Sequence, residues 1–552
     1  MKLLKAFEEN CLTAAETAEH TLMSLLRDNA DTAYGKKYHF SHIDSVRAYK
    51  RTVPLTEYRD YSDSISRMMH GERNILTVYP LSYYSHTSGT VGDSKLIPVS
   101  ERAESVIHKY WLLTKELYFD SLHEKPSDTP KNPKYLYLIT ARGSNAPDGM
   151  LITNFSGKLL LDRKDVIAKI AVKPELLYCT EHKDLMYLWA FYGLRERELF
   201  NIHAPFTPSI SDFFCYIEHN WERLCHDIAD GVLRPEEQFS NSFINHLSAD
   251  LRPDAKRAEE LRRVFDRGFD KPIASDIWPS FGYASGTGGA GFSPYTQTVR
   301  RFIGKIPINM SSYAASEGMF AMSVKMDIAE YAMIPEAGFF EFIPEKDMDL
   351  PESELMERTL GINELRTGES YEIVVTNLSG LYRYRIGDVL TVKGCFGQSP
   401  LISFGYRRHQ ILNIVGEKTN DDMILYAING MREQMGIHVV GWSACEDSST
   451  SPARYQMFME IEPHVSGKKQ QKMRDILEEK LSEASEYYRN YRHENKIGAM
   501  ELILLKPKTY ALYRDIQIKN GASSNQLKPI HRINDPQTRA FFCGQKAFPF
   551  RV

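Results

Sequence analysis

Near the N-terminus, apolar positions recur at helical spacing. Leu12, Ala15, Ala18, Leu22, Leu25 and Leu26 share one side of residues 11–28, which predicts an amphipathic helix. Short apolar runs then alternate with helical stretches. ILTVY (75–79) and YLYLIT (135–140) read as strands. LLYC (176–179) reads as a strand or as a buried helix turn, because so short a run carries no period. YEIVVTNL (371–378) is rich in β-branched residues and stops at Ser379-Gly380, so it predicts a strand. This alternation predicts an α/β body. The texture then changes. QMFMEI (456–461) and MELILL (500–505) read as strands, and residues 468–490 between them carry Met473, Ile476, Leu477, Leu481, Ala484, Tyr487 and Tyr488 at helical spacing. Strand, long helix and strand predict a small α+β domain. Its boundary falls near FGYRRHQ (404–410), where polar and basic residues interrupt the apolar pattern.

Composition narrows the function. A chain of 552 residues is too long for one core and predicts several domains. Its 42% hydrophobic and 25% charged residues fit a globular chain, and a net charge of −4 lacks the basic surface that nucleic-acid binding needs. The opening MKLLKAFEEN meets charge too soon for a signal peptide, and no apolar run reaches the ~20 residues of a membrane helix. The seven cysteines are scattered without a C-x-x-C pair, so neither a zinc site nor a disulfide framework is indicated. The expectation is a cytoplasmic monomer with no nucleic-acid or membrane partner.

Five segments could carry chemistry. In SHTSGTVGDSK (85–95), Gly89 lets the backbone approach an anion, Thr87, Ser88 and Thr90 offer hydroxyls, and Lys95 adds a charge. The spacing is not that of a Walker loop, and the segment reads equally as a phosphate loop or a polar turn. GTGGAG (286–291), starting at Gly286, satisfies G-x-G-x-x-G, but the preceding DIWPSFGYAS reads as a poor strand and no βαβ unit is evident. It reads instead as a backbone wall beside a ligand, or a plain loop. SYAASEGMF (312–320) places an aromatic ring (Tyr313), a hydroxyl (Ser316) and a carboxylate (Glu317) before Gly318. A carboxylate beside phosphates needs a cation between them, and Mg²⁺ serves with few protein ligands. Alone, the segment is a turn with a solvated glutamate. In GLYRYRIGDVL (380–390), alternation sets Tyr382 and Tyr384 opposite Arg383 and Arg385, with Asp388 at the strand's end. The plain alternative is an edge strand with both arginines in solvent. In NGASSNQLKP (520–529), Lys528 follows a Gly/Ser-rich loop that could carry its charge to another domain.

In this order the segments resemble the adenylate-forming superfamily of acyl-CoA synthetases and firefly luciferase, whose phosphate loop reads T-S-G-T-x-G-x-x-K. YAASEG, FFEFIP (339–344), YEIVVTNLSGLYRYRIGD, FGYRRHQILNIVGEKT and GASSNQLK (521–528) narrow the resemblance to the auxin-responsive acyl acid–amido synthetases, in a bacterial-type relative. The resemblance runs from residue 75 to residue 530. It implies a large multi-subdomain N-terminal adenylate-forming domain (1–406) and a small mobile α+β C-terminal domain (407–552), hinged at 404–412. It implies an ATP-dependent ligase that converts a carboxylic acid to an acyl-adenylate and passes the acyl group to an amine, usually an amino acid. By the resemblance, Thr87, Ser88, Gly89, Thr90, Lys95 and Lys528 meet the phosphates, and Gly286 and Tyr313 border adenine. Ser316 lies near the α-phosphate, Glu317 ligates Mg²⁺, Asp388 takes the ribose hydroxyls and Arg407 marks the hinge. Catalysis would fall to Lys528, Glu317 and Ser88. The chain departs from the family where Leu527 precedes Lys528, where Pro529-Ile530-His531 delay Arg532, and where Asp93-Ser94 precede Lys95. His86 reads as structural. An acyl-CoA ligase sharing the first half-reaction, or a non-catalytic nucleotide-binding relative, are the alternatives.

Overall fold

In the computed structural model, the described residues are 2–86, 95–121, 132–141, 143–179, 184–236, 239, 241–289, 292–408, 412–415, 417, 419–463, 465, 467–520 and 527–547. The chain divides into two compact units; the larger ends at Gly405 and the smaller continues from Tyr406.

The larger unit opens with helices α1 (Lys2–Leu12), α2 (Ala14–Asp28) and α3 (Val46–Thr52). α2 buries Ala18, Leu22, Leu25 and Leu26, as its spacing predicts, whereas Leu12 ends α1 and is exposed. Strand β1 (Leu81–His86) pairs antiparallel with β2 (Leu96–Ser100), and α4 (Glu101–Trp111) and α5 (Leu113–Ser121) follow. β3 (Lys134–Tyr137) starts a second sheet, while β4 (Gly143–Asn145) and β5 (Leu151–Thr153) complete the first in the order β2-β1-β5-β4. Next come α6 (Leu185–Arg195), β6 (Leu199–Phe206), α7 (Thr207–Asp230), β7 (Tyr283–Thr287), α8 (Ser293–Ile303) and β8 (Ile308–Asn309). The second sheet runs β3-β6-β7-β8, every pair parallel. A third, seven-stranded sheet is built from β9 (Ser312–Ala315), β10 (Gly318–Ser323), β11 (Tyr331–Met333), β12 (Gly338–Pro344), β13 (Ser370–Asn377), β14 (Tyr384–Phe396) and β15 (Ser399–Arg407), in the order β12-β13-β14-β15-β11-β10-β9.

Several expectations change on contact with these elements. ILTVY is not a strand. Its backbone is satisfied elsewhere: Tyr34 N donates to Ile75 O (3.0 Å), Val78 N to Asn29 Oδ1 (2.8 Å) and Tyr382 Oη to Leu76 O (3.0 Å). Strand β1 begins only beyond Pro80, which has no N–H to give a ladder. LLYC lies at the end of a 3₁₀ turn, Pro174–Tyr178, opened by the proline. The glycine segment at 286 does follow a strand: β7–α8–β8 is a parallel βαβ unit, formed despite Pro279 because the strand starts beyond it. Arg383 and Arg385 are not a solvated pair. Arg383 sits before β14 in a left-handed conformation (φ 49°) and is wholly buried. β14 is an interior strand, flanked by β13 and β15, and Asp388 lies within it rather than at its end.

The buried Arg383 guanidinium donates to both Glu341 oxygens on β12 (Nε 3.0 Å, Nη2 2.9 Å) and to the carbonyls of Lys50 (2.7 Å), Val53 (2.8 Å) and Met356 (2.7 Å). A buried pair this fully bonded is worth little against an apolar replacement, but removing one partner strands the other charge.

The smaller unit contains α9 (Asp421–Met435), β16 (His438–Asp447), β17 (Arg454–Glu462), α10 (Lys468–Ala484), α11 (Glu486–His493), β18 (Glu501–Leu504), α12 (Thr509–Lys519) and α13 (Pro536–Gly544). Its sheet runs β16-β17-β18. Ile428 and Met431 of α9 and Met473, Leu477 and Leu481 of α10 join the core with Trp442, Met457 and Met459. Cys445, Phe458 and Ile503 of the strands pack with Tyr513 and Phe542 of α12 and α13. The long helix read at 468–490 is two helices. Ser485, extended at φ −132°, separates them and caps the second by accepting from Tyr488 N.

Arg383→Ala should therefore lower stability by about 3–5 kcal/mol in equilibrium denaturation. The paired change Arg383→Met with Glu341→Leu should cost clearly less than the sum of the two single losses.

Candidate active site

Ser316 and Glu317 form the turn of the β9–β10 hairpin. Gly318, at φ 151°, closes it in a conformation that side chains rarely adopt. Ser316 Oγ donates to His86 O (3.3 Å), so the turn lies against the last residue of β1. Glu317 is buried, and its carbonyl accepts from Asn377 Nδ2 (2.9 Å) at the end of β13. Asn377 Oδ1 in turn accepts from Ser379 N and Leu381 N (3.0 Å each), which fixes the tight NLSG turn. Tyr313 Oη donates to Asp388 Oδ2 (2.9 Å), and both groups are buried. The YAASEG and IGDV segments thus meet across the sheet although 75 positions separate Tyr313 from Asp388.

The other expected residues are placed as follows. Thr87, Ser88, Gly89 and Thr90 lie outside the described residues, directly after His86. Lys95 is exposed, with its ammonium 5.5 Å from the centre of the Tyr58 ring. Gly286 is in β7, where an added Cβ would come 3.1 Å from Ala204 O on β6. The Gly288 carbonyl accepts from Tyr331 Oη (3.4 Å), which links the glycine segment to the third sheet. Arg407 ends β15, and Lys528 is an exposed residue of the smaller unit.

Magnesium takes one or two carboxylates and leaves its remaining positions to phosphate oxygens and water. The hairpin turn suits that demand, with one buried carboxylate beside one hydroxyl. A separate cluster, Glu104, His108 and Asp162, brings ligand atoms within 4.8 Å of one another. Lys158 Nζ already fills it, 2.6 Å from Glu104 Oε1 and 2.5 Å from Asp162 Oδ2, so it is an ion-pair network.

The motifs did not point to a polar row across the parallel sheet. Tyr137, His203, Ser285 and Asn309 are register neighbours on β3, β6, β7 and β8, at the strands' carboxyl-terminal side. The Tyr137 and His203 ring centres are 5.3 Å apart, and Trp111 of α4 lies 6.3 Å from Tyr137. Desolvation lowers the His203 pKa to about 4, so its imidazole is neutral at physiological pH. Open parallel sheets bind ligands at this end of their strands. The polar alternation of Asn201 and His203 within LFNIHAPF was the available signal. Asn377 was missed too, since an asparagine before Leu-Ser-Gly reads as an ordinary turn residue.

Among the described residues, no helix is long and apolar enough to cross a membrane. Residues 3–308 match the GH3 family N-terminal domain, 331–407 its central domain and 422–537 its C-terminal domain. The chain is 25% identical over 550 residues to the indole-3-acetic acid-amido synthetase GH3.3 of Arabidopsis thaliana, covering 96% of this chain and 91% of that one. It is 25% identical over 562 residues to the jasmonoyl–L-amino acid synthetase GH3.5 of Oryza sativa subsp. japonica, covering 97% and 95%. The solved structure of the AtGH3.15 acyl acid amido synthetase in complex with 2,4-DB superposes with a TM-score of 0.84 at 22% identity, covering 99% of this chain and 96% of that one, so the fold is shared. With family matches that together take in most of its length, the chain belongs to the GH3 family.

Proposed function

We propose that the protein is an ATP-dependent ligase that joins a carboxylic acid to an amine, an amino acid, through an acyl-adenylate. The observation that carries this reading is the Ser316–His86 hydrogen bond, which sets the Ser316–Glu317 turn against the last residue of β1, the residue that precedes TSGT in the sequence. Its relatives' names, auxin- and jasmonate-conjugating amido synthetases, support the amide product.

In the first half-reaction a carboxylate oxygen attacks the α-phosphorus of ATP, the bond from that phosphorus to the bridging oxygen breaks, and pyrophosphate leaves. Two anions must approach, so charge has to be neutralised where it develops. Thr87, Ser88, Gly89 and Thr90 hold phosphate oxygens through hydroxyls and N–H groups. Lys95 and Lys528 supply positive charge, and Ser316 orients the α-phosphate. Glu317 would hold magnesium, which would offset the charge on the leaving pyrophosphate. Asp388 accepts the ribose hydroxyls, steadied by Tyr313, whose ring lies against adenine beside Gly286. In the second half-reaction the amine nitrogen attacks the acyl carbon, AMP leaves with the carbon–oxygen bond pair, and the nitrogen sheds a proton. Arg407 is the hinge residue between the two domains.

The acid's acyl body is assigned to the row containing Tyr137 and His203. Aromatic rings supply apolar area there and a neutral imidazole supplies one polar contact, the usual economy of a small-molecule pocket.

ATP–pyrophosphate exchange with a panel of carboxylic acids tests the reading, with product mass against amino acids and CoA as acceptors. Carboxylate-independent exchange, or a thioester as the sole product, would overturn it. Glu317→Ala should lower the exchange rate on the order of a hundredfold while leaving the melting temperature in place. Tyr313→Phe should raise the KM for ATP several-fold, the worth of one hydrogen bond at about 0.5–1.5 kcal/mol, with little change for the acid. His203→Phe should reorder kcat/KM among acids and leave the KM for ATP unaltered.

A further inference from the structure

The segment that carries Lys528 is held by contacts that no recognised motif accounts for. Residues beyond it meet the edge of β16 through an isolated parallel bridge between Ala444 and Arg532. Ala444 N donates to His531 O (2.7 Å), Ile533 N donates to Ala444 O (3.0 Å), and Ser443 Oγ donates to Ile530 O. Ile530 and Ile533 are buried among Cys445, Phe458 and Phe542. The His531 side chain makes two further contacts. Its ring stacks on Trp442, with centres 4.1 Å apart and an angle of 16° between planes. Its Nδ1 lies 2.7 Å from Asp421 Oδ2, an acceptor, so that nitrogen carries a proton. Asp421 stands in the first turn of α9. Arg532 adds an ion pair with Glu446 (2.7 Å). Between the pinned Ile530 and Lys528 there is a single residue, Pro529, whose ring fixes its own φ.

We propose that His531 is a positioning residue: through Asp421 and Trp442 it fixes the segment that carries Lys528, and so sets where the lysine's charge stands during adenylation. This rests on the assignment of Lys528 to the first half-reaction. The segment that spaces Lys528 from Arg532, a departure from the family pattern, then has a physical use. It inserts a histidine with both a stacking face and a hydrogen-bond donor. A charge that must meet developing negative charge tolerates little displacement, and errors of about 1 Å cost up to a hundredfold.

The experiment measures the two half-reactions separately in the full chain, ATP–pyrophosphate exchange for adenylation and aminolysis of a supplied acyl-adenylate for transfer. His531→Ala and Asp421→Ala should each slow exchange on the order of tenfold or more while aminolysis stays near wild type, which also shows that the variants fold. The double variant should be no slower than His531→Ala alone, because both changes break one linkage. Lys528→Ala serves as the reference. Wild-type exchange in that variant overturns the lysine assignment and this inference with it. Impaired exchange in Lys528→Ala beside wild-type exchange in His531→Ala, or equal loss of both half-reactions in His531→Ala and Asp421→Ala, overturns the inference alone.

Discussion

The larger unit is organised around one charge that has no access to water. Arg383 has 0% exposure, yet its guanidinium binds one carboxylate with two bonds and three backbone carbonyls besides. These partners come from the end of α3, from strand β12 and from the loop near residue 356. Desolvating an arginine is costly, so the arrangement survives only with all of them present. The same residue carries backbone links: its carbonyl accepts from Thr56 N (3.0 Å), and Arg385 N donates back to Thr56 O (2.8 Å). A left-handed φ at a non-glycine residue has a cost too, and it persists because the surroundings determine it. Once Arg383 is set, the start of β14 is set, and Asp388 is carried into place five positions along the chain.

A second set of bonds does for Glu317 what Arg383 does for Asp388. Asn377 spends its amide on the glutamate's carbonyl and its oxygen on the NLSG turn. That turn also reaches the first sheet, where Ser100 Oγ donates to Leu378 O (2.7 Å) and Ser100 N to Ser379 Oγ (3.0 Å). The end of β13 therefore fixes both the hairpin turn and the end of β2. The hairpin turn touches the end of β1 through Ser316. Ser316 and Glu317 are in this way tied to strand ends, while Asp388 sits within β14, and rigid elements hold a site more closely than mobile ones.

Much of this was legible in the residues, and the failures share a cause. The strands at 371 and 456 announced themselves because branched side chains on a pleated surface leave a clear pattern. Tyr313, Glu317 and Asp388 stood out as members of short segments rich in turn-forming and polar residues. The hydrogen bond joining Tyr313 to Asp388 could not be read, because it depends on the order of seven strands rather than on any spacing. Residues 75–79 misled because Ile75 and Leu76 are buried, as in a strand, while the segment's backbone is bonded to the Asn29 and Tyr382 side chains and to Tyr34 N. The arginines misled in the opposite sense. Charge reads as surface until a partner such as Glu341, 42 positions away, is known.

His203 has a consequence for how broadly such a protein can choose what it accepts. Held uncharged by its surroundings, the ring has two nitrogens of opposite character, and the proton can reside on either one. A guest presenting a hydroxyl and a guest presenting a ketone could each find a complement by tautomeric exchange, with no rearrangement of the strands. A guanidinium or ammonium in that position could only donate. With the acyl body placed as proposed, chemical tolerance would become a property of a single proton's location, gained or lost without touching the nucleotide side of the fold.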